Sequence, residues 1–158
     1  MRLSVIASWL PITLFILTRP AILAAEGLPV NHLQVAGVSL IQDSEELSRH
    51  LGRPIASHAT TDRATGEAAT ISIFRNLTAY LVADETMRLK TTDPSVSTVA
   101  GAKVGDSVAR VLELYEPFEP EIVSPGQVEL CVKGSRACLV FYSYRDQVTA
   151  IEVLLDYG

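Results

Sequence analysis

The sequence predicts an α+β protein of two tandem units, each a short helical segment packed on an antiparallel β-hairpin sheet. Three observations predict it. First, Val35-Ala36-Gly37 returns as Val99-Ala100-Gly101, and Gly37 to Gly101 sets an offset of 64 residues. At that offset Leu40 meets Val104, Asp43 meets Ser107, Leu47 meets Val111 and Leu51 meets Tyr115. Second, Val108, Val111, Leu112 and Tyr115 recur at i, i+3, i+4 and i+7, one face of a helix. Third, both copies run on into apolar stretches of strand type. The domain reading is a signal peptide over 1–25, a first unit over 26–93 and a second over 94–158.

Residues 1–25 carry the marks of an export signal. Met1-Arg2 is a short positive start, Leu3 to Leu17 is almost wholly apolar, and Ala21 to Ala25 ends in small residues. Cleavage is expected after Ala24 or Ala25. About fifteen apolar residues fall short of the roughly twenty that span a bilayer. No cysteine follows the segment to carry a lipid, so no stable membrane anchor is expected after cleavage.

Glu26 to Gln34 reads as a polar lead-in. In the first unit Asp43 and Glu46 resemble a capping box, and the helix stops at Gly52-Arg53-Pro54. Ser57 to Glu67 reads as a polar loop, 69–75 and 77–83 as strands around Arg75-Asn76, and 87–92 as a third strand. Asp93-Pro94-Ser95 is the expected linker. In the second unit Asp106 or Ser107 caps the helix, and Pro117 to Gly126 reads as a loop.

The register of the hairpin that follows can be argued from residues. Val128, Leu130 and Val132 alternate with Glu129, Cys131 and Lys133; Leu139 and Phe141 alternate with Cys138 and Tyr142. A two-residue Gly134-Ser135 turn sets Leu130 opposite Leu139, Val128 opposite Phe141 and Cys131 opposite Cys138. The two cysteines are then within disulfide reach, and an exported protein is expected to hold them oxidised. Six intervening residues is not the redox CxxC spacing, and no further metal ligand accompanies them. A last strand over 148–156 joins the same core if 145–147 forms a three-residue loop.

Chemistry-bearing motifs are few. His32, His50 and His58 are the only histidines. No G-x-S-x-G accompanies them, and His50, His58 and Asp62 match no metal-ligand spacing. Gly101-x-x-x-Gly105 lacks the ending of a phosphate loop. A two-carboxylate glycosidase would want an aromatic cleft, and the one tryptophan, Trp9, leaves with the signal. Removing Arg2 and Arg19 leaves 11 basic against 18 acidic side chains, a poor match to nucleic acid. One feature points to binding: Val140, Tyr142 and Tyr144 fall on the face opposite the apolar one. Tyrosine there offers apolar area with a polar tip.

The run G-x-x-V-G-D-S-x-x-x-V-x-x-x-Y at 101–115, followed by antiparallel hairpins, resembles two groups of small exported bacterial domains. They are the BamE (SmpA/OmlA) outer-membrane lipoproteins and the tandem beta-lactamase inhibitory proteins. The resemblance implies helical segments against antiparallel sheet and a role in binding other proteins. The lipid-anchor cysteine of the BamE group is absent, Glu116 stands where those domains often carry glycine, and Ile41 replaces the counterpart of Gly105.

The expectation is an exported, non-enzymatic protein-binding module, periplasmic or secreted, without cofactor or metal. Its partner would be another envelope or secreted protein, and its contact residues Tyr142, Tyr144 and Val140. The alternatives are a small hydrolase with a site between the units, using His50 or His58, and a purely structural envelope protein.

Overall fold

A computed structural model describes residues 27–155 of the 158-residue chain. The signal-peptide reading over 1–25 lies outside those residues. A 3-10 turn at Val30–His32 leads into a small hairpin of β1 (Gln34–Val35) and β2 (Val38–Ser39). Helix α1 (Ser44–Leu51) follows, then β3 (Ala56–Thr61), β4 (Ala68–Ile73), β5 (Thr78–Val82) and β6 (Glu85–Thr91). Helix α2 (Val108–Tyr115) precedes β7 (Glu121–Ser124), β8 (Gln127–Cys131), β9 (Ala137–Tyr144) and β10 (Gln147–Leu155).

The expected fold class does not hold. The described residues are mostly β, with two α-helices of eight residues each among them. The long strands form one antiparallel sheet in the order β3-β4-β5-β6-β10-β9-β8-β7, rather than two helix-on-hairpin units. The reason lies at the middle of the sheet. β6 and β10 each end a four-stranded meander, and they pair with one another from Ile151 opposite Thr91 to Leu154 opposite Arg88. Leu89 faces Val153 across that seam and neither is exposed to solvent. An apolar strand such as β10 is more stable between two neighbours than at an edge.

The two edge strands are what the sequence concealed. All of β3 but Ala56 lies within the stretch read as a polar loop, and β7 lies within the Pro117–Gly126 loop. Five of the six β3 residues and all four of β7 are exposed, so neither carries an apolar alternation. The lead-in was also misjudged: Leu28 and Leu33 are buried in the core. The Leu28 N–H donates to the Cys131 carbonyl at 3.3 Å, which lays the lead-in against the end of β8.

The β8–β9 register is as derived, with Leu130 opposite Leu139, Val128 opposite Phe141 and Cys131 opposite Cys138. The connection differs. The Ser135 N–H donates to the Val132 carbonyl and the Val132 N–H to the Ala137 carbonyl, which closes a four-residue loop over 133–136. Two residues and four residues have the same parity, so the faces are unchanged. The expected three-residue loop before β10 is instead a two-residue turn, Arg145-Asp146, plus a bulge at Thr149. One extra residue in the strand shifts parity as one extra residue in the loop would. Ile151 and Val153 reach the core either way.

Helix α1 starts where Asp43 Oδ1 accepts the Glu46 N–H at 2.7 Å, and α2 where Ser107 Oγ accepts the Arg110 N–H at 3.1 Å. Both ease the orphan donors of a first turn. Leu47 from α1 and Val111 and Tyr115 from α2 enter one cluster with Leu81, Leu89, Leu139, Phe141, Ile151 and Val153. The core thus occupies the helix-bearing face of the sheet. The Tyr115 hydroxyl donates to Thr98 Oγ1 at 2.8 Å, which satisfies a phenol with no exposed surface.

Candidate functional site on the open sheet face

Strand alternation places Arg88 and Lys90 of β6, Ala150, Glu152 and Leu154 of β10, Val140 and Tyr142 of β9, and Gln127 and Glu129 of β8 on the face away from the helices. The register aligns Lys90, Glu152, Val140 and Glu129 in one row across four strands. Next to them lie Arg88, Leu154, Cys138 and Cys131.

Glu152 is the centre of this arrangement. Only 3 % of it is exposed, although it sits on the open face. The Tyr142 hydroxyl donates to its Oε2 at 2.7 Å, and Arg88 Nε lies 3.2 Å from its Oε1. Lys90 Nζ stands 4.8 Å from the centroid of the Tyr142 ring, a cation over an aromatic face. Burial, and then the hydrogen bond to the Glu152 carboxylate, pushes the Tyr142 phenol up to about 12. Within β8, Gln127 Nε2 donates to Glu129 Oε1 at 2.6 Å. Arg88, Tyr142 and Glu152 therefore hold one another in a single geometry.

The residues singled out from sequence fall as follows. Tyr142 is half-buried inside this network. Tyr144 is 66 % exposed, with the Arg145 guanidinium 5.2 Å from its ring. Val140 is 1 % exposed and offers no contact surface. Cys131 and Cys138 form the disulfide at the margin of the face, their Cα atoms 4.0 Å apart. Glu129 and the two cysteine sulfurs come together within 4.8 Å, but both sulfurs are committed to that bond. Arg88, Lys90 and Glu152 were missed. A signal was available for Glu152: a lone carboxylate inside the apolar run 150–155, in phase with Ala150 and Leu154.

The histidines lie elsewhere. His50 Nδ1 is 2.9 Å from the Glu46 carbonyl of its own helix. It lines an open depression of about 510 Å³ with Arg53, Arg75 and Asn76, and His58 is not part of that lining. His58 is exposed on β3, opposite Ile71. His32 packs its ring 5.1 Å from Phe118 and 6.4 Å from Tyr115. A second tyrosine–carboxylate pair joins the sheet to a loop: the Tyr80 hydroxyl donates to Asp62 Oδ2 at 2.8 Å. The Thr65 N–H, then the Tyr80 hydroxyl, hold the Asp62 carboxyl below its ordinary range.

No family model matches the chain, and no curated protein does. Among solved structures it is similar to an extracellular protein containing an SCP domain from Bacillus anthracis str. Ames, with a TM-score of 0.51 at 11 % identity. That match covers 74 % of this chain and 44 % of the other, so the chain spans less than half of that protein's length. It is also similar to the uncharacterized protein yfeY from Escherichia coli, with a TM-score of 0.46 at 15 % identity, over 82 % of this chain and 97 % of that one. At such identities the first match speaks to the fold alone. Neither name bears on the BamE or inhibitory-protein resemblance. The disulfide, and the absence of any helix among the described residues long and apolar enough to cross a membrane, are compatible with an extracellular or periplasmic protein.

Proposed function

We propose that the chain is an exported, non-enzymatic protein-binding module, periplasmic or secreted, that docks another envelope or secreted protein on its open sheet face. The observation that carries this reading is the Arg88–Glu152–Tyr142 network beside the exposed Tyr144. A surface whose side chains are already held in place loses less freedom on binding, which favours affinity. Tyrosine and arginine are also the side chains over-represented among strong interface contacts. On the same face the apolar cluster is small, Ala69, Val82 and Met87 with Tyr80, whereas both helices pack on the opposite side.

The test is affinity capture from envelope and medium fractions, with the wild type beside a Tyr142→Ala/Tyr144→Ala variant whose circular dichroism is unchanged. A stoichiometric partner retained by the wild type and lost by the variant supports the module and its face. A partner held equally by both removes the site. A hydrolytic activity lost in a His50→Ala/His58→Ala variant would replace the reading with an enzymatic one.

A further inference from the structure

The two edges of the sheet are built differently. β7 is short, carries Glu121, is flanked by Pro120 and Pro125, and shifts register between Ile122 and Ser124. Charge, proline and irregularity are the devices by which edge strands resist pairing. Within its six residues β3 has none of them, although just before it the Ile55 N–H also donates to Ile73, the residue opposite Ala56. It runs six residues with unbroken register against β4, and Ala-Ser-His-Ala-Thr-Thr contains no Asp, Glu, Lys, Arg or Pro.

The phase of its free backbone groups follows from bonds at the ends of the meander. The Asp62 N–H donates to the Glu67 carbonyl, so Asp62, Thr60 and His58 turn their backbone groups toward β4. The Ala83 N–H donates to the Ala68 carbonyl, which fixes the same phase from the β4–β5 side. Ser57, Ala59 and Thr61 therefore turn their N–H and C=O groups outward, away from the sheet. All three are exposed.

We propose that the chain self-associates through β3, antiparallel to the β3 of a second copy, about a two-fold axis at Ala59. Only an isologous pairing centred there lets all three outward residues exchange both backbone bonds: Ser57 with the partner's Thr61, Ala59 with the partner's Ala59, and Thr61 with the partner's Ser57. The side chains suit that register. Small alanines meet on the axis, hydroxyls of Ser57 and Thr61 face each other, and His58 lies opposite the partner's Thr60, with no like charges opposed. The same register sets Ile55, 72 % exposed in the single chain, opposite the partner's Arg63, whose aliphatic stem can cover it. This inference is independent of the open-face reading, because β3 lies four strands from β10 and seven from β7 in the sheet order.

Sedimentation velocity of the full chain over a concentration series tests it, with Ala59→Pro as the variant. The Ala59 N–H turns away from β4, so proline removes a donor that the β3–β4 pairing does not use and the dimer would. Wild type is expected to dimerise with rising concentration and Ala59→Pro to stay monomeric. Ala59→Lys gives a second disruption should the proline variant fail to fold. Under mild oxidation, Ala59→Cys is expected to form a covalent dimer and Ile122→Cys, on the other edge, is not. A wild type that is monomeric throughout, a dimer indifferent to both changes at Ala59, or equal cross-linking at both edges overturns the proposal.

Discussion

Glu152 sits where a strand has most to lose from a charge, in the central β10 and almost without solvent contact. It is accommodated because Arg88 and Tyr142 both reach it. Removing one partner of a buried charged acceptor costs more than the bond itself was worth. Arg88→Ala is therefore expected to destabilise the fold by about 1–3 kcal/mol, read from urea denaturation. Glu152→Gln, which keeps an acceptor for the phenol and leaves only the half-exposed Arg88 unpaired, is expected to cost less. Tyr142 gives a pH signature. Its phenol ionises at about 12 in the folded chain, against roughly 10 when unfolded. The folded state keeps the proton where the unfolded state has lost it. The resulting stabilisation is whole below the unfolded value and is lost as the pH rises toward 12. Tyr142→Phe is expected to flatten this alkaline loss, followed as the unfolding midpoint against pH. One late-ionising tyrosine should vanish from the ultraviolet titration at the same time.

At the scale of elements, caps and turns set the boundaries. Asp43→Ala and Ser107→Ala each remove the side-chain acceptor of a first helical turn and are expected to cost about 1 kcal/mol, measured by denaturation. The β5–β6 turn places Ala83 and Asp84 at φ 49° and 68°. This is the type I′ form that Asn-Gly favours. Ala83→Asn is expected to stabilise by about 0.5–1 kcal/mol, since alanine tolerates the left-handed region poorly. These elements also show what was legible. The helix starts at Asp43 and at Asp106 or Ser107 were readable because a cap is a local event, written in a few adjacent residues; the structure selects Ser107. The β8–β9 register was readable because cysteine pairing and hydrophobic parity agreed. β3 and β7 were not, since an exposed edge strand needs no apolar face and is held by backbone bonds that every residue can make. The bulge at Thr149 was hidden for a related reason: it produces the same parity as a longer loop. Of the proposed contact residues, Tyr142 and Tyr144 could be placed on a face by alternation. Their anchoring by Glu152 and Arg88 depends on strands far apart in the chain, and no local pattern encodes it.

For the whole molecule, the seam between β6 and β10 makes the two meanders one sheet. Leu89→Ala, at a fully buried position on that seam, is expected to cost about 2–5 kcal/mol. Because the core is shared, unfolding is expected to remain one transition, with circular dichroism and tyrosine fluorescence coincident across a urea series. The disulfide acts on the unfolded state. A closed loop of eight residues, from Cys131 to Cys138, corresponds to about 2.5 kcal/mol of lost chain entropy. Reduction should lower the midpoint accordingly while the β8–β9 pairing persists.

The last of the eight strands in chain order is the one at the centre of the sheet. While β10 has yet to emerge from a ribosome or a translocation pore, β6 presents a bare edge on one side and β9 on the other, with Leu89, Leu139 and Phe141 lacking their cover. The chain cannot acquire its core progressively from its beginning. Closure waits for the final strand to arrive, so a chain cut short within 147–155 loses far more than its missing residues: it loses the join between everything made before them.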